Sequence, residues 1–286
     1  MGQRSAGTIL AGSIALLALM VPPRSLSGQA PSQAITPTAT INLFDGQSLA
    51  NFDTWLVDQH EADTLGVFSV VDDIDGAPAI RISGQQWGGL LTKEAYRDYR
   101  LIVEYRWGGA TWGERKMRAR DSGVLLHAQG RPGNTEEDFN GPWLRSIEFQ
   151  IIEGGVGDII LVAGYGDDGE RILPSLKVTS RTDRDGENVY DPRGVPKVFS
   201  SGRINWWGRS EDWEDRLGMR GSQDVESPGL EWTRLDAVVD GRNLTFSVNG
   251  KRVNAGSESS VTDGKIMFQA EGAEIFFRRI DLEPLP

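Results

Sequence analysis

The 286-residue sequence contains no cysteine, and that one absence removes a disulfide framework, thiolate chemistry and a lipidated cysteine together. Histidine is nearly as scarce. His60 and His127 are the only two, too few without cysteine for an ordinary zinc site. Walker-type phosphate loops and the Gly-x-Ser-x-Gly nucleophile elbow are missing, and no Ser, His and Asp group by spacing. Positive charge is in deficit, with a formal net charge of −11. That argues against a nucleic-acid partner, because a phosphate backbone needs a basic surface. Long helical patterns are lacking too, and no internal repeat of fixed period is visible. What fills the chain instead is glycine, 35 residues of it, punctuating short stretches of period-two alternation.

The first thirty residues read separately. Arg4, an apolar run from Thr8 to Val21 and the small-x-Ala ending Gly28-Gln29-Ala30 form the pattern of a secretory signal peptide. The run is shorter than the roughly 20 residues a membrane span needs and is broken by Pro22, Pro23 and Arg24. The expectation is a signal peptide over 1–30, a polar tether over 31–40 and one domain over 41–286. The protein is then exported to a periplasm or the outside, with no membrane span once the leader is removed. Intact-mass measurement of the exported protein checks this. A mature chain beginning near residue 31 is expected, and one still beginning at Met1 and extracted only with membranes contradicts it.

Within the domain, Leu101, Val103, Tyr105 and Trp107 alternate with Arg100, Ile102, Glu104 and Arg106. Leu244, Phe246 and Val248 repeat the pattern between Asp240-Gly241 and Asn249-Gly250, pairs that tolerate positive φ, so 232–255 reads as a run of hairpins. Further strands are expected at 67–71, 79–83, 88–92, 122–127, 146–153, 158–163, 265–270 and 274–282. Many strands without intervening helices predict an all-β fold, a two-sheet antiparallel jelly-roll sandwich. The stretch 164–230, poor in periodic apolar residues, reads as a long functional loop.

Charged groups embedded in apolar strands are the candidate site. In Ser146-Ile147-Glu148-Phe149-Gln150, Glu148 and Gln150 share the face opposite Ile147 and Phe149, a costly place for polar groups unless they pair or grip a ligand. Glu104 and Arg106 make a second such pair, and two such strands side by side would build one polar concave surface. His127 closes the apolar segment Ser122–Leu126 and is a candidate proton carrier, whereas His60 reads as surface. Asp72, Asp73 and Asp75, and Asp183, Asp185 and Glu187, are oxygen clusters that could hold a structural calcium. Neither completes a calcium-loop pattern, so solvated turns are the better reading, and no cofactor is assigned. Of nine tryptophans, Trp143, Trp206, Trp207 and Trp213 fall in loop-like contexts suited to stacking a sugar ring or to pinning a loop. Trp55, Trp107 and Trp232 read as core.

Several short motifs then fall in a familiar order. Leu43-Phe44-Asp45-Gly46-Gln47-Ser48-Leu49 comes first, then Leu91–Leu101 running into Glu104-Tyr105-Arg106-Trp107, then Ser122–His127. Ser146–Gln150 with Gly157-Asp158 follows, and Gly272–Ile280 comes last. Together they resemble the 3-keto-disaccharide hydrolase family. The resemblance implies a concanavalin A-like lectin and glucanase sandwich, export, and a small-molecule or oligosaccharide substrate carrying a 3-keto-sugar. A 3-ketone acidifies the C2 proton and opens a β-elimination route that needs a base, an acid and an enolate partner. Laid on the matching positions, Glu148 or His127 is the base and the other, or Glu104, the acid. Arg106, Lys93 or Arg278 is the oxyanion partner, and Gln150 and Trp143 bind substrate. The alternatives are ordinary glycoside hydrolysis by a Glu148–Glu104 carboxylate pair and a non-catalytic carbohydrate-binding module.

Overall fold

Alternation of apolar and polar residues commits each strand to one buried face, and in the computed structural model two antiparallel sheets meet on those faces. The structure describes residues 1, 2 and 33–285. Arg4, the Thr8 to Val21 run and Ala30 lie outside them, so the signal-peptide expectation falls outside the described residues. The chain divides after Pro31, and the architecture is that of Ser32–Pro286. Within the expected tether, Ile35 is fixed: its N–H donates to Ala95 O at 2.8 Å and its carbonyl accepts from Arg97 N at 3.0 Å.

One sheet, called the front sheet here, runs in spatial order Gly202–Ile204, Ile159–Val162, Arg145–Ile152, Asp121–Gln129, Lys265–Ala270, Gly88–Thr92 and Phe52–Leu56. The back sheet runs Lys251–Gly256, Asn243–Val248, Thr233–Asp240, Tyr99–Thr111, Ala273–Glu283, Ala77–Ile82 and Phe68–Ile74, with Ile41–Asn42 beside Ala273–Glu283. Their inner faces interlock through aromatic pairs. Phe149 lies flat on Phe246 with ring centroids 4.2 Å apart, and Phe268 meets Phe277 edge-on at 5.2 Å. The fold is the expected all-β jelly-roll sandwich, and each strand predicted from alternation has a counterpart in it.

The stretch 164–230 is more structured than a loop. It carries the hairpin Gly164–Tyr165 with Arg171–Ile172, and a three-stranded sheet in which Leu176–Thr182 pairs with Asn188–Tyr190 and Val195–Phe199. Gly164-Tyr165-Gly166-Asp167-Asp168-Gly169 has the spacing of a dinucleotide-binding glycine turn, but it closes an antiparallel hairpin and opens no helix. Three of the loop tryptophans are anchors. Trp206 is buried, Trp207 Nε1 donates to Arg252 O at 2.8 Å, and Trp213 Nε1 donates to Glu153 O at 2.9 Å. Asp158, fully buried, ties this stretch to the front sheet by accepting from Trp206 N at 2.8 Å and pairing with Arg209 and Arg203.

Glu226, also from this stretch, is buried against the back sheet, accepting from Tyr105 OH at 2.8 Å and Trp107 Nε1 at 2.6 Å. Burial drives its carboxyl up to about 8, with Asp224 adding to the rise. Replacing Glu226 by Ala leaves both donors without a partner and is expected to cost about 2–4 kcal/mol, read by denaturant unfolding. Glu226→Gln keeps an acceptor and should cost far less.

Candidate active site

Glu148 and Gln150 project from the outer face of the front sheet. Their backs are set by Ile147, Phe149 and Ile151 in the core, so the period of two leaves no other direction. Register then names their neighbours. Glu148 pairs with Leu125 and Gln150 with Gly123 on Asp121–Gln129, and Phe268 pairs with Val124, which sets Gln269 beside Gly123. Arg203 and Glu148 both pair with Ile160, from opposite sides.

Around Glu148 gathers a group of buried carboxyls. Gln150 Nε2 donates to Asp121 Oδ1 at 2.5 Å, and Asp121 pairs with Arg115. Arg115, from a short 3-10 turn over Gly113–Met117, also bonds Glu271 at 3.1 Å and Asp215 at 3.2 Å. Asp121, Glu148, Gln150, Gln269 and Glu271 are all nearly inaccessible. Burial raises the carboxyls of both Asp121 and Glu271; the Asp121 charge raises Glu271 further, a hydrogen bond with Glu271 lowers Asp121, and Arg115 pulls both back.

Glu148 differs from its neighbours. Burial pushes it up to about 8, with Asp121 adding to the rise and Arg203 opposing it. Its carboxylate makes no hydrogen bond among the described residues. Gln269 Oε1, likewise buried, has no hydrogen-bond partner among the described residues. Both oxygens converge on one place, since a Cβ built on Gly123 would collide with Glu148 Oε1 and Gln269 Oε1 alike. The missing side chain at 123 is what leaves room for them. Two acceptors facing one point with no donor between them form an arrangement completed by a carboxyl proton or a ligand hydroxyl.

Trp143 belongs to this same face. It packs on an apolar cluster that includes Leu91, Leu125 and Met267, which continue the Glu148 row across the sheet, and it stacks on Trp87 with centroids 5.5 Å apart.

The other expected site residues lie elsewhere. Glu104, Arg106 and Arg278 stand on the outer face of the back sheet, because Val103, Tyr105 and Trp107 fill its inner face. There Glu104 is spent on Arg278 at 2.7 Å, and Arg106 on Asp75, with Trp232 between the two arginines. Trp232 is therefore a surface spacer rather than core. Sheets pack about 10 Å apart, so Glu104 and Glu148, pointing away from each other, are too distant to flank one glycosidic bond. The Glu148–Glu104 pair and the single cleft joining these residues are thus incorrect.

His127 is misplaced too. It sits in a β-bulge with φ of 54°, which turns its ring inward onto Tyr99, centroids 5.7 Å apart, with Nδ1 at 3.2 Å from Val261 O. Burial lowers its pKa, so it is a neutral core residue and cannot reach the carboxyl cluster's face. Lys93 is committed to a loop, donating to Ala50 O at 2.7 Å. His60 is exposed, as expected, and stacks on Trp55. Asp73 and Asp183 accept backbone N–H groups within their own turns, and no group of three or more potential ligands for a metal occurs among the described residues.

Asp121, Gln269, Glu271, Arg115 and Arg203 were not singled out by sequence. A usable signal existed for two of them. Phe268-Gln269-Ala270-Glu271 places polar residues two apart in an apolar strand, as Ser146–Gln150 does.

A family model described as the 3-keto-alpha-glucoside-1,2-lyase-like domain matches residues 39–283. No curated protein matches the chain. Among solved structures, one from Parabacteroides distasonis, provisionally described as a glycosyl hydrolase, is 15% identical, covers 87% of this chain and 94% of its own, and has a TM-score of 0.48. A second from the same organism is 16% identical, with coverage of 86% and 99% and a TM-score of 0.45. A carbohydrate-binding module from Bacillus subtilis is 10% identical, with coverage of 82% and 95% and a TM-score of 0.39.

Proposed function

The chain belongs to the 3-keto-alpha-glucoside-1,2-lyase-like domain family, and on that premise we propose a carbohydrate-active enzyme that cleaves 3-keto-glycosides by removing the C2 proton. The observation that carries this reading is Glu148, a buried carboxyl raised to about 8 and without a hydrogen-bond partner among the described residues, converging with Gln269 Oε1 on the side-chain-free position Gly123. A base with its pKa near the working pH is the tool that abstraction of a proton next to a ketone requires.

In this reading Glu148 takes the C2 proton, and the C–H electron pair moves onto the C3 oxygen as an enolate. Collapse of the enolate forms the C1=C2 bond and expels the C1 oxygen with its electron pair, which takes a proton from an acid. Water then adds across C1=C2, hydroxyl to C1 and proton to C2, completing net hydrolysis. In this reading Arg203, which pairs with Asp158 at 3.3 Å and opposes the rise of Glu148, is the cation that meets the enolate charge. The Asp121–Glu271 pair, favoured in its protonated form by burial, supplies the acid. Direct displacement by Glu148 with Glu104 is left without geometric support. The leader pattern from Arg4 to Ala30 supports action after export, in a periplasm or outside.

The test is incubation of the purified protein with a 3-keto-disaccharide and with its non-oxidised parent, following free sugar. Release from the keto form alone is expected. Cleavage of the parent would mark an ordinary glycosidase, and binding without cleavage a carbohydrate-binding module.

A further inference from the structure

Next to the carboxyl cluster, a cavity of about 420 Å³ opens between the indoles of Trp87 and Trp112, floored by Gly84, Gly113 and Gly272 and edged by Glu114. Its place on the molecule follows from the chain. Gly272 directly follows Glu271, Gly113 and Glu114 directly precede Arg115, and the Arg115 side chain packs against Gly272, so the cavity's lining adjoins the arginine that pairs with Asp121 and Glu271. Gly88 pairs with Ala270 at the end of its ladder, so Trp87 and Glu271 leave the sheet at the same end.

Both indoles are fixed yet partly open. Trp112 Nε1 donates to Ser83 O at 2.9 Å while the residue stays 39% exposed, and Trp87, stacked on Trp143, stays 37% exposed. The floor is backbone. At Gly84 a Cβ would run into the Ala273 main chain, and at Gly272 into the Arg115 side chain. Two buried polar atoms from residues at or beside the indoles, Gln86 Oε1 and Trp143 Nε1, have no hydrogen-bond partner among the described residues. Flat apolar walls suit the C–H face of a pyranose. Glu114, the one charged residue of the lining, disfavours an anionic ring. The volume is at the small end of the roughly 300–1,000 Å³ that small-molecule sites span, a size for one ring rather than a chain.

We infer that this slot is the leaving-group subsite, taking a neutral pyranose while the keto ring lies at Glu148 and Gln269. The inference rests on the 3-keto-glycoside reading above. It orders the face as base, acid pair and departing sugar, and sets the Asp121–Glu271 carboxyls at the bond that breaks.

The experiment compares a 3-keto-disaccharide whose leaving group is glucose with the methyl glycoside of the same keto ring. Trp112→Ala should lower kcat/KM for the disaccharide on the order of tenfold or more and for the methyl glycoside by less than about twofold. Trp112→Phe, which keeps a ring but loses the bond to Ser83, should fall between the two and guards against a simple folding defect. A binding arm does not depend on turnover: glucose titrated into the wild-type protein should give a saturable change in tryptophan fluorescence that Trp112→Ala abolishes. Equal losses on both substrates, or no saturable response in the wild type, would overturn the subsite. Saturable binding at Trp112 with no cleavage of either keto substrate would leave the subsite standing and refute the proposed chemistry instead.

Discussion

Glu148→Gln is expected to lower turnover of a 3-keto-glycoside by a factor on the order of 10² or more, the usual size of a general-base contribution. The change is nearly isosteric and breaks no hydrogen bond among the described residues, so loss of basicity is isolated from loss of structure. Stability should move the other way. A carboxyl raised to about 8 by burial holds its proton more tightly in the native state than in the unfolded chain, where it titrates near 4.5. Native stability therefore falls as pH rises between those two values, and the deficit is complete above about pH 8. The glutamine carries no such penalty, so the variant should unfold at higher denaturant than the wild type at pH 8–9 and at similar denaturant near pH 4. Paired kinetics and denaturant unfolding check both halves. A variant that retains activity would remove Glu148 from the mechanism.

Gly123→Ala should be nearly as damaging to activity, although it adds one methyl on the outer face and touches no core side chain. The new Cβ would occupy the space of Glu148 Oε1 and Gln269 Oε1, and both are ends of flexible chains that can swing aside. The sheet should hold, with a change in unfolding free energy within about 1 kcal/mol. The base, however, is displaced from its working position, and misplacement on that scale costs turnover on the order of 10². Steady-state kinetics beside a denaturation curve tests this. Wild-type turnover would mean that the two oxygens do not work from where they lie.

Glu148 and Gln150 were legible in the sequence because strand alternation reports which residues share a face, and Ile147, Phe149 and Ile151 take the core side. Alternation says nothing about which sheet a strand joins. Glu104 and Arg106 show the same local pattern as Glu148 and Gln150, yet their strand lies in the back sheet and their charges are consumed by Asp75, Arg278 and Arg279. His127 was unreadable for a different reason. One bulge residue at positive φ reverses the side-chain direction that counting by two would give. Asp121 and Gln269 come from two strands far apart in sequence, with Glu271 just past the second, and only the register of Asp121–Gln129 with Lys265–Ala270 brings them beside Glu148. The hairpins at Asp240-Gly241 and Asn249-Gly250 were the easiest to place, because both turns are decided by local φ preferences alone.

Proton removal at C2 by Glu148 is tested most directly by running cleavage of a 3-keto-disaccharide to completion in heavy water and locating deuterium in the released keto-sugar by NMR. Elimination followed by hydration delivers a solvent deuteron to C2, so the account predicts deuterium at C2 of the product, and a slower reaction of substrate deuterated at C2 if proton transfer limits the rate. Complete retention of the original C2 hydrogen during cleavage would contradict it.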